Sequence, residues 1–283
     1  MKINAIMLVK NEVDIVEETL LNAMKFCHKI YIYDNQSTDG TWELVNEMAS
    51  RFSEVVIFGQ TAEPYKNQLR NRVYNEHHGE YSDHDWWYIL DSDELLTESP
   101  AKQLSKAAAK NKNAMCVWQA QFYFTDEDLA NYEEEDVSAS ITQRRKHYLI
   151  NWKEQRFFKN ESERKWPESL SGRIPPWSNK MASYAPVCRH YALRTPEQIQ
   201  ARVALRMKTQ HGFAHIKRAP EINYPSASTL DVYNNDGVFK IRWSERIKYV
   251  SKQMYFAFHW KWKAVTNILL SSVKKKQFQC KSL

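Results

Sequence analysis

Three carboxylates fall within four positions in Asp91-Ser92-Asp93-Glu94, directly after the apolar and aromatic run Trp86-Trp87-Tyr88-Ile89-Leu90. That run has the length and ring content of a buried strand. Asp91 and Asp93 lie two residues apart, so in an extended segment their side chains share a face. Two carboxylates on one face repel each other unless a cation sits between them. Hard oxygen ligands suit Mg2+ or Mn2+, which bridge protein carboxylates to substrate phosphates. An isolated D-x-D is more often a solvated acidic turn. Its surroundings decide between the two readings.

The elements around it alternate. Ile3 to Val9 reads as a buried first strand, with Lys10-Asn11-Glu12 after it. Asp14 can cap a helix running to about Lys25. Lys29 to Tyr33 is a second strand, closed by the turn-forming stretch Asp34-Asn35-Gln36-Ser37-Thr38-Asp39-Gly40. Thr41 or Asp39 caps the next helix. Glu54 to Phe58 is a third strand, Tyr65 to about Tyr74 a helix, and Trp86 to Leu90 the fourth strand. Strand and helix in strict alternation predict a mostly parallel sheet with helices on its faces, an α/β fold. Ligands bind such sheets outside the carboxyl ends of the strands. Three polar loops, Lys10 to Asp14, Asp34 to Asp39 and Asp91 to Glu94, are therefore expected at one edge. Their convergence makes a binding site the better reading of the D-x-D.

Length and composition fit one large globular domain or one domain with an extension, at 283 residues, 43% hydrophobic and 26% charged. Ten Trp and fifteen Tyr supply rings that pack on one side and hydrogen-bond on the other. Cys27, Cys116, Cys188 and Cys280 are widely spaced, which leaves no C-x-x-C motif and suits reduced thiols. Met1-Lys2-Ile3-Asn4 leads straight into the first strand with no signal-peptide pattern, and no stretch of 18 apolar residues spans a membrane. The expected location is cytoplasmic.

The segments Val9-Lys10-Asn11-Glu12, Asp34 to Thr41 and Ile89 to Glu94 resemble the successive motifs of the family 2 glycosyltransferases. The resemblance is specific over residues 1 to 100 and looser to about residue 210. It implies the GT-A fold, a Rossmann-like sheet that binds a nucleoside-diphosphate sugar, a UDP-sugar first of all, with Mn2+ or Mg2+. By that resemblance Val9, Asn11, Glu12, Asp34, Asp39, Arg70, Asp91, Ser92 and Arg194 line the donor site. Asp34 would meet the base or ribose, and Asp91 and Asp93 the ribose edge and the metal. Arg70, on the helix before the fourth strand, has the forked guanidinium that suits a diphosphate. An ion pair is the plainer reading of the same residue.

Inverting members of the family use an Asp or Glu beyond the D-x-D as general base toward the acceptor hydroxyl. Glu168, in Trp166-Pro167-Glu168-Ser169, is the candidate, with Asp126, Glu127 and Asp128 as rivals. Cys188-Arg189-His190-Tyr191-Ala192-Leu193-Arg194-Thr195-Pro196 resembles the family's late His motif, which makes His190 a third metal ligand beside Asp91 and Asp93. Arg194 would reach the diphosphate, Thr195 would cap the next helix and Pro196 would take its first position. Asp93 and Glu168 are then the residues expected to carry the chemistry. The acceptor is expected to be a glycan or glycolipid, as in surface polysaccharide or lipopolysaccharide synthesis.

Between these motifs, Met115 to Phe124 reads as a fifth strand and Thr125 to Asp136, with seven acidic residues from Asp126 on, as a mobile surface loop. Arg144 to Tyr148 and Gln155 to Lys159 read as two short sheet segments separated by Trp152. The division expected is 1–225 for the catalytic domain, in halves 1–100 and 101–225, and 226–283 for a basic aromatic helical extension. From Lys240 onward eleven Lys or Arg face one acidic residue, Glu245. Such a tail suits the inner membrane surface or docks on the domain. Two rivals stand beside the transferase. A nucleotidyltransferase would need a Gly-rich basic loop after the first strand, and Lys10-Asn11-Glu12 has none. A non-enzymatic binder would use the tail, but no nucleic-acid partner is expected.

Overall fold

The computed structural model describes residues 1–169, 172–208 and 223–241. The chain opens with β1 (Ile3–Val9), α1 (Val16–Ala23), β2 (Lys29–Asp34), α2 (Thr41–Arg51), β3 (Val55–Gln60), α3 (Leu69–His77) and β4 (Trp86–Asp91). It continues through β5 (Glu94–Leu96), α4 (Ala101–Ala109), β6 (Ala114–Phe122), α5 (Asp126–Ala130) and α6 (Ile141–Arg144). β7 (His147–Lys159), β8 (Val187–His190), α7 (Pro196–Lys208) and β9 (Asp231–Val232) follow. The strands form one sheet in the order β3-β2-β1-β4-β7-β6-β8-β5, with β9 on β7. This is the expected α/β architecture of GT-A type.

β1 is the axis of the fold. It pairs in parallel with β2 on one side and β4 on the other. All seven of its residues are buried, because both sheet faces are covered. Alternation then sends Ala5, Met7, Val9, Trp86, Tyr88 and Leu90 into a core shared with α1, α2 and α4. Ile6, Leu8, Trp87 and Ile89 enter a second core with Leu69, Val73 and Tyr74 of α3. The register places Val9 opposite Asp34 and Leu8 opposite Asp91, so strand pairing alone aligns the three loops at one edge.

The second half differs from expectation in three places. β7 is one 13-residue strand, not two segments. Its pairing with β6 shifts register at Met115/Cys116 and at Gln119/Ala120, and such bulges break the alternation by which a long strand is read. The acidic stretch is not a bare loop. Thr125 caps α5 in a capping box with Asp128, and buried Arg145 binds Glu135, Asp128 (3.3 Å) and the Arg194 carbonyl (2.6 Å). Arg144 adds a bond to Glu135 at 2.7 Å. From residue 226 the chain stays on the sheet: Ala227 N–H donates to Asp126 at 2.9 Å and β9 pairs with β7. Met1–Lys240 groups as one compact unit. The basic tail beyond Ile241, and with it most of the expected helical extension, lies outside the described residues. No helix of the described residues is long and apolar enough to cross a membrane.

The clamp on the acidic stretch has a pH signature. Burial opposes ionisation of Glu135, but Arg145 and Arg144 hold its carboxyl below the usual range. A carboxylate depressed in the fold contributes stability above its unfolded value, about 4.3, and loses it as pH falls through the folded value. Exchange of the α5 amides, taken relative to the intrinsic rate at each pH, should therefore be unchanged from pH 7 to 5 and become faster below about pH 4. Arg145→Ala should show that fast exchange already at pH 7; slow exchange in the variant would contradict the clamp.

Candidate functional site

The first two loops are laced together by side chains. Asn11 N–H donates to Ser37 Oγ (2.9 Å), and Asn11 Oδ1 accepts from Thr38 N–H (2.8 Å). Glu12 N–H donates to Thr41 Oγ1 (2.9 Å) and Val13 N–H to Asp39 Oδ2 (3.2 Å). Asn11 and Gln36 adopt left-handed backbone (φ 55°), which Asn tolerates better than most residues. Gly40 (φ 99°) occupies the cap position of α2, so neither Asp39 nor Thr41 caps it. Asp39 Oδ1 accepts from both the hydroxyl (2.6 Å) and the N–H (3.0 Å) of Thr41, the first residue of the helix. Asp34 is fully buried at the end of β2 and accepts from Ser37 N–H (3.0 Å), Ser37 Oγ (2.5 Å) and Gln60 Nε2 (3.0 Å). Its carboxylate thus holds the turn that follows the strand.

Asp91 lies on the sheet face of Trp87 and Ile89, and α3 covers that face. Arg70 of α3 accordingly reaches Asp91 Oδ1 at 3.1 Å. Arg156 of β7 meets Oδ2 at 3.0 Å, and Arg173 binds the same oxygen. Burial would raise the Asp91 pKa, but Arg156, Arg173 and Arg70 together hold it well below the usual carboxylate range. Arg156 also pairs with Glu94, which is fully buried and accepts from Gln119 Nε2 at 3.0 Å. Burial pushes Glu94 up to about 7 against the pull of Arg156.

Asp93 meets a different set of cations. β5 pairs antiparallel with β8, Glu94 opposite His190, which brings His190 Nε2 to 3.5 Å from Asp93 Oδ2. Arg202 of α7 is 3.3 Å and Arg194 3.9 Å from that same oxygen. Burial opposes ionisation of Asp93, but His190, Arg202 and Arg194 depress its pKa. Burial likewise disfavours charge on His190, and the Asp93 carboxylate overrides it and raises the imidazole. Arg194 is buried and spent within the protein, on Asp14 (2.8 and 3.0 Å), Glu12 (2.5 Å) and the Tyr191 carbonyl (2.9 Å). Asp14 therefore does not cap α1, whose cap residue is Ile15 with no side-chain bond. Burial raises Glu12 to about 7 despite Arg194. Thr195 does cap α7, its Oγ1 accepting from Gln198 N–H at 3.2 Å.

The structure thus brings Val9, Asn11, Glu12, Asp34, Asp39, Asp91, Ser92, Asp93, His190 and Arg194 to one edge, and Arg70 reaches it from α3. Glu168 is exposed, but the carbonyls of Trp166 and Pro167 beside it accept from Asn75 and Asn71 of α3, both at 2.9 Å. Among the described residues no cluster of three or more His, Cys, Asp or Glu is arranged around a cation position. Asp93 and His190 do fit one. Their 3.5 Å separation can be spanned by two donors each about 2.1 Å from an ion, and His190 Nδ1 is buried without a partner. The oxygens of Asp91 face guanidiniums.

Arg156, Arg173, Arg202 and Asp14 were not legible as site residues. Arg156 did leave a signal, as a charge in the aromatic run Arg156-Phe157-Phe158, where only a partnered cation can be buried. The clamp on Asp91 predicts that Asp91→Asn leaves three guanidiniums short of a partner, two of them buried. Chemical unfolding should show a loss of about 3 kcal/mol or more. A loss below about 1 kcal/mol would contradict the clamp.

The family model for glycosyl transferase family 2 matches residues 5–176. No curated protein matches the chain. Among solved structures, a chain described as a glucose-1-phosphate thymidylyltransferase from Bacillus anthracis, in complex with sucrose, aligns with a TM-score of 0.33 and 9% identity. That alignment covers 42% of this chain and 55% of that one, a likeness too low to bear on function. The family match runs from β1 through both laced loops, the D-x-D and the Arg173 clamp, and the chain belongs to glycosyl transferase family 2.

Proposed function

We propose that the protein is a metal-dependent, inverting glycosyltransferase. It moves a sugar from a nucleoside-diphosphate sugar, a UDP-sugar by preference, to a hydroxyl of a glycan or glycolipid. The observation that carries this reading is His190, which β8 brings against Asp93 at the carboxyl edge of the parallel sheet, beside the laced loops. Asp93 and His190 would hold Mn2+ or Mg2+, whose Lewis acidity neutralises the departing diphosphate. Two protein ligands are enough for such an ion, because phosphate oxygens and water complete its shell. His190 ligates only as the neutral imidazole, so cation binding should tighten as pH rises.

The chain's own residues do the rest. Asp34 fixes the turn that carries Ser37 to Asp39, and Asn11 and Glu12 close the opposite wall; this is the pocket for base and ribose. Asp91 and its three arginines, two of them shared with Glu94 or Glu154, hold the sugar side of the site rigid. Glu168 accepts the proton of the acceptor hydroxyl as that oxygen bonds to the anomeric carbon. The bond from that carbon to the diphosphate oxygen breaks in the same displacement, and the nucleoside diphosphate leaves with the electron pair. The fastening of Trp166 and Pro167 to α3, the helix that carries Arg70, supports this role for Glu168.

Two measurements test the reading. A thermal-shift panel of nucleoside diphosphates with Mn2+, Mg2+ or EDTA should find one base whose shift needs the cation. At about 100 times Kd the stabilisation should be roughly 2.7 kcal/mol, and Asp93→Asn should abolish it. No shift with any nucleotide would sink the donor site. Glu168→Gln should lower transfer by about 10²–10⁴-fold at unchanged donor affinity; undiminished transfer would move the base elsewhere.

A further inference from the structure

Among the described residues, Arg202 is the guanidinium beside Asp93 that is neither fully buried nor fully engaged. Arg194 has a fully buried side chain whose nitrogens are all engaged, and Arg156 is buried among Asp91, Glu94 and Glu154. The Arg202 side chain is 25% exposed and meets the site through Nη1 alone, 3.3 Å from Asp93 Oδ2 and 3.8 Å from Glu12 Oε1. Its other donors have no partner among the described residues. The residue is nonetheless well placed. α7 is capped by Thr195, five residues after His190, and Gln198 ties its first turn back to the Arg194 N–H and the Ala192 carbonyl, both at 3.3 Å. The segment that delivers His190 therefore also delivers Arg202.

Both side chains face one oxygen, Asp93 Oδ2. A divalent ion bound to that oxygen at about 2.1 Å would lie no more than about 5.4 Å from Arg202 Nη1, where like charges repel by roughly 3 kcal/mol or more even at an effective dielectric of 20. Ion and guanidinium cannot both keep the position. A guanidinium displaced from a carboxylate in a half-open site finds its best alternative in the paired oxygens of a phosphate. Resting on the donor reading above, we infer that Arg202 is an exchangeable counter-ion. It pairs with Asp93 as long as no cation is bound there, and passes to the diphosphate of the donor when a cation takes Asp93.

This exchange makes Arg202 oppose the cation and favour the nucleotide, so its removal should move two binding constants in opposite directions. The experiment is calorimetric titration of the full chain with MnCl2 alone, then with UDP and with GDP at saturating Mn2+. Arg202→Gln should bind Mn2+ alone about tenfold more tightly than the parent, and the preferred nucleoside diphosphate about tenfold more weakly. Arg202→Lys, which keeps the charge but loses the fork, should leave Mn2+ binding near the parent value and still weaken the diphosphate. It also guards against a general folding defect in the Gln variant. A structural role would weaken both ligands together. Mn2+ affinity that is unchanged or lower in Arg202→Gln overturns the inference while parental Mn2+-dependent UDP or GDP binding leaves the donor reading intact. Tighter Mn2+ binding with no nucleoside diphosphate bound by the parent overturns the donor reading and the phosphate half of the exchange. A parent that binds neither Mn2+ nor diphosphate overturns both.

Discussion

Buried carboxylates at one edge of a parallel sheet persist only if cations reach them. Glu12, Asp91, Asp93 and Glu94 are gathered there by the pairing of β1 with β4 and by the short step from β4 into β5. Two such charges about 4 Å apart repel by roughly 4 kcal/mol at an effective dielectric of 20. Nothing at the ends of β1 and β4 relieves this, apart from Arg70 on α3. The other partners, Arg156, Arg173, His190, Arg194 and Arg202, all come from the second half of the chain. The two halves therefore form one electrostatic unit.

The division of labour between core and site follows. Apolar burial on the two sheet faces supplies the driving force for folding, and it is indifferent to which charge meets which. The ion pairs add little net stability, because desolvation offsets most of their attraction. What they contribute is position. Asp91 keeps α3, β7 and the Arg173 loop in fixed relation, and Arg194 ties the first loop to the strand end that carries His190. The same device recurs away from the site, where Arg145 binds Glu135 and Asp128 and so gives shape to a stretch with almost no apolar face.

Much of the fold was legible because its signals are local. Buried runs of β-branched and aromatic residues, turn formers after each run and helical spacing between them require a parallel sheet. A parallel sheet places all its carboxyl ends on one side, hence the convergence of Asn11, Asp34 and Asp91. The errors arose where a distant partner overrode a local preference. Asp14 would cap α1 in isolation, but Arg194 takes its carboxylate. The acidic stretch would be solvated in isolation, but Arg145 buries against it. β7 looked like two segments because two bulges against β6 interrupt the alternation.

By itself, then, the sequence determined the α/β alternation, the sheet edge that forms the site and the acidic residues that line it. Strand period, turn chemistry and the geometry of parallel connections act over a few residues and can be read along the chain. Tertiary structure alone decided how the cations are shared: three arginines on Asp91, and His190 with Arg202 on Asp93. Arg156 meets Asp91 across 65 positions and Arg194 meets Glu12 across 182. A charge carries no address in the sequence. Its partner is whichever opposite charge the packed strands and helices bring within a few ångströms, and that is settled only when the whole sheet has formed.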